Sequence, residues 1–209
     1  MALEPQTMER ELNILFGALC DGIRQEVRFR RLAQLTNGQD FSLSQEREPG
    51  VQFALALHLR SVGFLVQVES WIAHGSLMRR PDFRVWLPAS EKYLYLELKT
   101  YGWGRDWSYQ YSTMKKSVQE DMDKLKIDGD SGNLPNGLIV VGLSQPSEQR
   151  VKHLDQAYED LSHLIISGYP YEKIGVKKVD LSGMDPRTSY AMVGLWGRTP
   201  ATNNGVETA

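Results

Sequence analysis

PDFRVWLPASEKYLYLELKT, residues 81–100, carries two runs in which apolar residues alternate with polar or aromatic ones. A period of two is the mark of a strand with unlike faces. The pattern predicts strands over 82–87 and 93–100, joined by a short turn around Pro88 and Ala89 to Lys92. On the second strand Leu94, Leu96 and Leu98 point to one side, and Tyr93, Tyr95, Glu97 and Lys99 to the other. If partner numbers in an antiparallel pair sum to about 180, Asp82 falls opposite residue 98, with Glu97 and Lys99 as its near diagonal neighbours. Two carboxylates and one ammonium then meet at one end of the pair, although 15 residues separate the acids in sequence. Buried unpaired charges are costly and shift their pKa values instead, so these three need one another or a ligand.

The flanks complete an α/β pattern. Upstream, residues 7–32 place Leu12, Leu15, Leu19, Ile23 and Val27 on one helical face, ending in Arg24, Arg28, Arg30 and Arg31. Asn37-Gly38 is a turn signal. A second helix runs from about Glu48 to Val62, with Pro49 in its first turn and Gly63 closing it. Phe64 to Ile72 reads as a strand before the quoted pair. Downstream come an aromatic loop from Tyr101, a polar helix over 112–127 and a loop over 128–137. The apolar run Leu138–Leu143 suits a strand covered on both faces. A helix over 147–166 and strands over 174–181 and 189–196 follow. The expected organisation is an N-terminal helical extension (1–40), one domain with a mixed sheet flanked by helices (41–196), and an unstructured tail (197–209).

Composition narrows the class. The 209 residues are 41% hydrophobic and 24% charged, enough for one substantial core. A net charge of −2 provides no global attraction to nucleic acid, so such binding must use a local basic patch. Cys20, the one cysteine, excludes a disulfide framework and points to a reducing, cytoplasmic setting, and on its apolar helix face it belongs to the core. Neither a secretory signal nor a membrane span is legible. His58, His74, His153 and His163 have no zinc-like spacing, no phosphate-binding GxxxxGK[ST] occurs, and Ile139 stands where a calcium loop begun at Asp128 needs its glutamate.

Clustered carboxylates suit a hard cation such as Mg²⁺ or Mn²⁺, which offsets their repulsion, and a neighbouring lysine can orient or deprotonate an attacking water. Pro81-Asp82 followed by Glu97-Leu98-Lys99 resembles the signature of the PD-(D/E)XK nuclease superfamily, and the order of helix, strands, helix and buried strand over roughly 45–145 is similar to its core. Each half of the signature occurs once, in the family's order. The resemblance implies a restriction-endonuclease-like fold and Mg²⁺- or Mn²⁺-dependent hydrolysis of phosphodiester bonds, most often in DNA. It implies Asp82, Glu97 and the Leu98 carbonyl as metal ligands and Lys99 as the group that positions water. For the upstream acid common in the family, Glu48 lies on the inward stripe of its helix with Val51, Gln52, Leu55 and Leu59. Glu46 competes with it, and Glu69 is a third candidate.

For nucleic-acid contacts, Arg79 and Arg80 immediately precede the Pro-Asp, and Trp103 and Arg105 lie in the aromatic loop after Thr100. Lys115, Lys116, Lys124 and Lys126 are interrupted by Glu120, Asp121 and Asp123 and read as a solvated helix face. The expected partner is DNA, with a homodimer or a larger DNA-processing complex as its setting. The competing reading is a catalytically silent nucleic-acid-binding or interaction module on the same fold.

Overall fold

A computed structural model describes residues 5–37, 48–69, 72–74, 77–102, 107–132, 135–144, 148–184 and 189–198. Along these the elements are α1 (Pro5–Asn37), α2 (Glu48–Ser61), β1 (Val66–Val68), β2 (Ile72–His74), β3 (Leu77–Arg79), β4 (Phe83–Leu87), β5 (Lys92–Gly102), α3 (Trp107–Gly132), β6 (Asn136–Ser144), α4 (Glu148–Gly168), β7 (Glu172–Asp180) and β8 (Tyr190–Arg198). Six strands form one sheet in the order β1-β4-β5-β6-β8-β7, and β2 pairs with β3 alone. Only β5 and β6 run parallel within that sheet. A parallel pair cannot be joined by a tight turn, and α3 supplies the crossover. This is the mixed, helix-flanked α/β sheet that the alternation of patterns predicts, with the N-terminal helix first.

Each sheet face has its own core. The apolar stripe of α1 (Leu12, Leu15, Leu19, Ile23) and that of α2 (Val51, Leu55, Leu59) pack on Phe83, Val85, Leu94, Leu96 and Leu98. On the other face Met114, Val118 and Met122 of α3, with Leu154, Tyr158 and Leu161 of α4, pack on Leu138, Val140 and Trp196. Successive β6 residues thus alternate between two cores, as a continuous apolar run requires. No helix among the described residues is long and apolar enough to cross a membrane.

Two local devices fix the hairpin that carries Asp82 and Glu97. The buried carboxylate of Glu11 on α1 accepts the N–H of Ala89 at 2.7 Å and of Ser90 at 3.0 Å, and the Ser90 hydroxyl. The β4–β5 turn is therefore tied to α1 through its own backbone. At the end of α2, Gly63 has φ +99°, its N–H bonds the Arg60 carbonyl, and the Phe64 N–H reaches back to Leu59. That double bond pattern needs a left-handed residue, and it turns the chain directly into β1.

Three expectations are corrected. The single strand over 64–72 is two strands: β1 ends at Val68, and Glu69 adopts φ 48° where the apolar alternation runs out. Ile72–His74 then pairs outside the main sheet. The loop expected over 128–137 is helical to Gly132 and extended from Asn136. Asp and Ser are only weak helix breakers, and propagation costs little once Met122 and Leu125 anchor α3 in the core. The tail begins later than Gly197, because β8 runs to Arg198, and residues 199–209 lie outside the described residues.

Candidate functional site

The hairpin brings the two acids together more directly than the sequence reading has it. Observed pairs run from Leu87↔Lys92 to Phe83↔Leu96, so partner numbers sum to 179 rather than 180. A shift of one residue exchanges the faces of a strand. Continued one residue past the last pair, Phe83↔Leu96, the same register sets Asp82 against Glu97 instead of Leu98. Burial, then the charge of Asp82 and that of Asp121, push the Glu97 carboxyl up to about 8.

β5 outruns its partner. Pairing with β4 stops at Leu96, yet β5 continues to Gly102 and leaves backbone donors on that edge. Carboxylates take them. Asp82 Oδ2 accepts the Leu98 N–H at 2.7 Å, and Glu48 Oε2 accepts the Thr100 N–H at 3.2 Å. The carbonyl of Asp82 is held in turn by Gln52 Nε2 at 2.9 Å and the Glu69 N–H at 3.2 Å. Buried polar groups left unpaired cost about 1–3 kcal/mol each, so these bonds specify where the acids stand.

Lys99 lies between two further acids. Its ammonium is 3.3 Å from Glu48 Oε1 and 2.9 Å from Asp121 Oδ2, with 16% of the side chain exposed. Asp121 comes from α3, is buried, and also pairs with Lys124 at 2.9 Å. Burial alone would lower the Lys99 pKa, but Asp121 and then Glu48 outweigh it and hold it well above the ordinary lysine range. Burial raises the Glu48 carboxyl, and Lys99 pulls against that. The Lys99 ammonium is thus held between two carboxylates.

Of the residues singled out in the sequence, Glu48, Asp82, Glu97 and Lys99 converge here, with the Leu98 backbone between the last two. Glu69 stands beside Asp82 but turns its carboxylate to Arg80. Arg79 closes β3. The side chain of Arg79 lies outside the described residues, as do Glu46, Trp103 and Arg105. Cys20 is buried in the α1 core, and burial pushes its thiol up to about 11, as a structural cysteine requires. Two residues of the site escape the sequence reading. Gln52 is a polar side chain on an otherwise apolar stripe of α2, which is its signal. Asp121 is placed on a solvated face by its charged neighbours, yet the spacing Met114, Val118, Asp121, Leu125 puts it on the buried stripe of α3.

Comparison with protein-family models, curated proteins and solved structures finds no match for this chain.

The donor set suits a hard divalent cation. Two neighbouring carboxylates, one of them raised by burial and by the charge of the other, are an arrangement that a cation relieves. Among the described residues no group of three acidic, histidine or cysteine side chains forms a ready ligand cage. Mg²⁺ characteristically takes one or two carboxylates and fills the rest with water and substrate oxygens. The groups that could hold such an ion are Asp82, Glu97 and the Leu98 carbonyl.

Asp121→Asn removes one of the two acids that balance a buried lysine. The expected result is a loss of about 2–4 kcal/mol in unfolding free energy by chemical denaturation. An unchanged denaturation midpoint would show that the Lys99–Asp121 pair carries no stability.

Proposed function

We propose that the protein is a divalent-metal-dependent nuclease of the PD-(D/E)XK type, built on a restriction-endonuclease-like core and hydrolysing phosphodiester bonds, with DNA as its substrate. One observation carries this reading. Asp82, just ahead of β4, reaches the Leu98 N–H of β5 at 2.7 Å and so stands beside Glu97, and Lys99, two residues along the same face of β5, is held by Glu48 at 3.3 Å and Asp121 at 2.9 Å.

In this reading Asp82, Glu97 and the Leu98 carbonyl hold Mg²⁺ or Mn²⁺, which supplies Lewis-acid polarisation of the phosphate and a more acidic water when bound. Lys99 would place a positive charge and N–H donors where negative charge develops on the phosphate oxygens, a role that needs a fixed cation. Glu48 and Asp121 keep its ammonium in position, and Glu48 also pins the backbone at Thr100. Gln52 holds Asp82 through its carbonyl. Of the two roles the sequence leaves open for the lysine, orienting fits this environment and deprotonating does not.

Supercoiled plasmid and single-stranded DNA incubated with Mg²⁺ or Mn²⁺ test the proposal. Cleavage is expected, absent in EDTA and reduced by at least about a hundredfold in Asp82→Asn. Cleavage that persists in EDTA or in Asp82→Asn, or binding with no cleavage under either metal, overturns it, the latter in favour of the silent binding module.

A further inference from the structure

Along the same two strands, next to Asp82 and Glu97, the outward face carries aromatic residues that neither core uses. Arg84 pairs with Tyr95 and Trp86 with Tyr93, so the rungs after Asp82–Glu97 are arginine–tyrosine and then tryptophan–tyrosine. Trp86, Tyr93 and Tyr95 are half-buried and belong to neither hydrophobic cluster. Trp86 and Tyr93 lie tilted with centroids 4.8 Å apart. The Arg84 guanidinium sits 3.7 Å over the Tyr93 ring and 6.0 Å from the Tyr95 centroid. Its Nη1 reaches Gln67 on β1 at 3.3 Å, while its Nε is buried with no hydrogen-bond partner among the described residues.

Cross-strand packing accounts for part of this arrangement, since such pairs contribute about 0.2–1 kcal/mol to a sheet. It does not account for an arginine drawn over the rings with a donor unmet. A guanidinium held flat by stacking still carries N–H groups beyond its buried Nε and the Nη1 bond to Gln67, and these suit a phosphate, while the uncovered part of a half-buried aromatic ring offers stacking to a base. Bases within a duplex are already stacked and present only edges and backbone. The surface therefore favours bases that are unpaired. Its position fits the same ligand: two residues along a strand span about 6.8 Å, so the first rung lies one short step from the carboxylates and the second lies two.

We infer that the β4–β5 face formed by Arg84, Trp86, Tyr93 and Tyr95 is a stacking platform for a single-stranded nucleic-acid segment that leads into the Asp82–Glu97–Lys99 site. The inference rests on the nuclease reading for the identity of the ligand and narrows its substrate to strands with unpaired bases beside the bond that is cut. Tyr95, the ring that the guanidinium leaves less covered, takes a base, and Arg84 takes the phosphate beside it.

Fluorescence anisotropy of the full chain in EDTA, at low salt, tests it with three labelled probes: oligothymidylate, an abasic strand of equal length, and a duplex. Oligothymidylate is expected to bind about five- to a hundredfold more tightly than the abasic strand, and more tightly than the duplex. Tyr95→Leu is expected to erase the difference between the two single strands. Arg84→Gln should weaken both alike. Equal binding of the normal and abasic strands by the wild-type protein overturns the platform without recourse to any variant, and so does a preference for duplex. The two readings separate cleanly. Metal-dependent cleavage with no dependence on bases removes the platform and keeps the nuclease. Base-dependent binding by a chain that cleaves nothing with Mg²⁺ or Mn²⁺ keeps the platform and removes the nuclease.

Discussion

Lys99→Met is expected to lower metal-dependent cleavage by about a thousandfold, the scale on which one preorganised charge or donor aimed at a transition state acts. The substitution also costs stability, because the buried ammonium is shared by Glu48 at 3.3 Å and Asp121 at 2.9 Å. Removing it leaves Glu48 without its cation and Asp121 with Lys124 alone, beside Asp82 and Glu97, a defect worth about 3–5 kcal/mol. Lys99→Arg separates the two effects. It restores the charge and so most of the stability, but it replaces a compact point charge with a planar fork that the Glu48–Asp121 gap does not match. Arginine should therefore recover the melting temperature of the lysine protein and little of its rate. Single-turnover cleavage at saturating enzyme, read beside thermal melting, makes the comparison. Lys99→Met cleaving within tenfold of the wild type would remove the lysine from the mechanism.

The faces of the β4–β5 hairpin were legible because alternation is a local property: Leu94, Leu96 and Leu98 are buried and their neighbours half-buried, as the pattern requires. Its register was not. A hairpin register is set by the turn, and the turn here contains Glu91 at φ 51° with its backbone bound by Glu11, 78 and 79 residues away in sequence from Ala89 and Ser90. No window of sequence displays that contact. The same limit explains Asp121. Its role exists only once α3 crosses over between β5 and β6 and lays its buried stripe beside Lys99, whereas its neighbours Glu120 and Asp123 suggest a wet surface. Glu48 was readable as an inward acid because helical periodicity is local too. Its choice of partners, the Lys99 ammonium and the Thr100 N–H, follows from β4 being too short to cover β5. Strand length, more than any motif, exposes the backbone that the acids hold.

Metal and pH should act on stability through one pair of carboxyls. In the folded chain the Glu97 carboxyl titrates at about 8, raised by burial and then by Asp82, against about 4.3 for an unfolded glutamate. Between those values the native state binds the extra proton, so the metal-free protein loses stability as pH rises through that window. Glu48, also raised by burial, adds in the same direction. Lys99, raised well above the lysine range, keeps its contribution throughout and loses it only far above this window. A divalent ion takes the place of the proton, so Mg²⁺ or Mn²⁺ should stabilise little near pH 6 and most near about pH 8.5. At a hundred times its dissociation constant a ligand contributes about 2.7 kcal/mol, which for a chain of this size is a rise of about 5–10 °C in melting temperature. In EDTA the melting temperature should fall over the same range of pH. Asp82→Asn removes its repulsion and one ligand together, so the metal-induced rise should vanish and the slope with pH become shallower, with burial and Asp121 still raising Glu97. Differential scanning fluorimetry with and without metal across pH reads all three. A metal-free protein that gains stability from pH 6 to 8.5, or a metal-induced rise that survives intact in Asp82→Asn, would show that Asp82 and Glu97 do not share a cation.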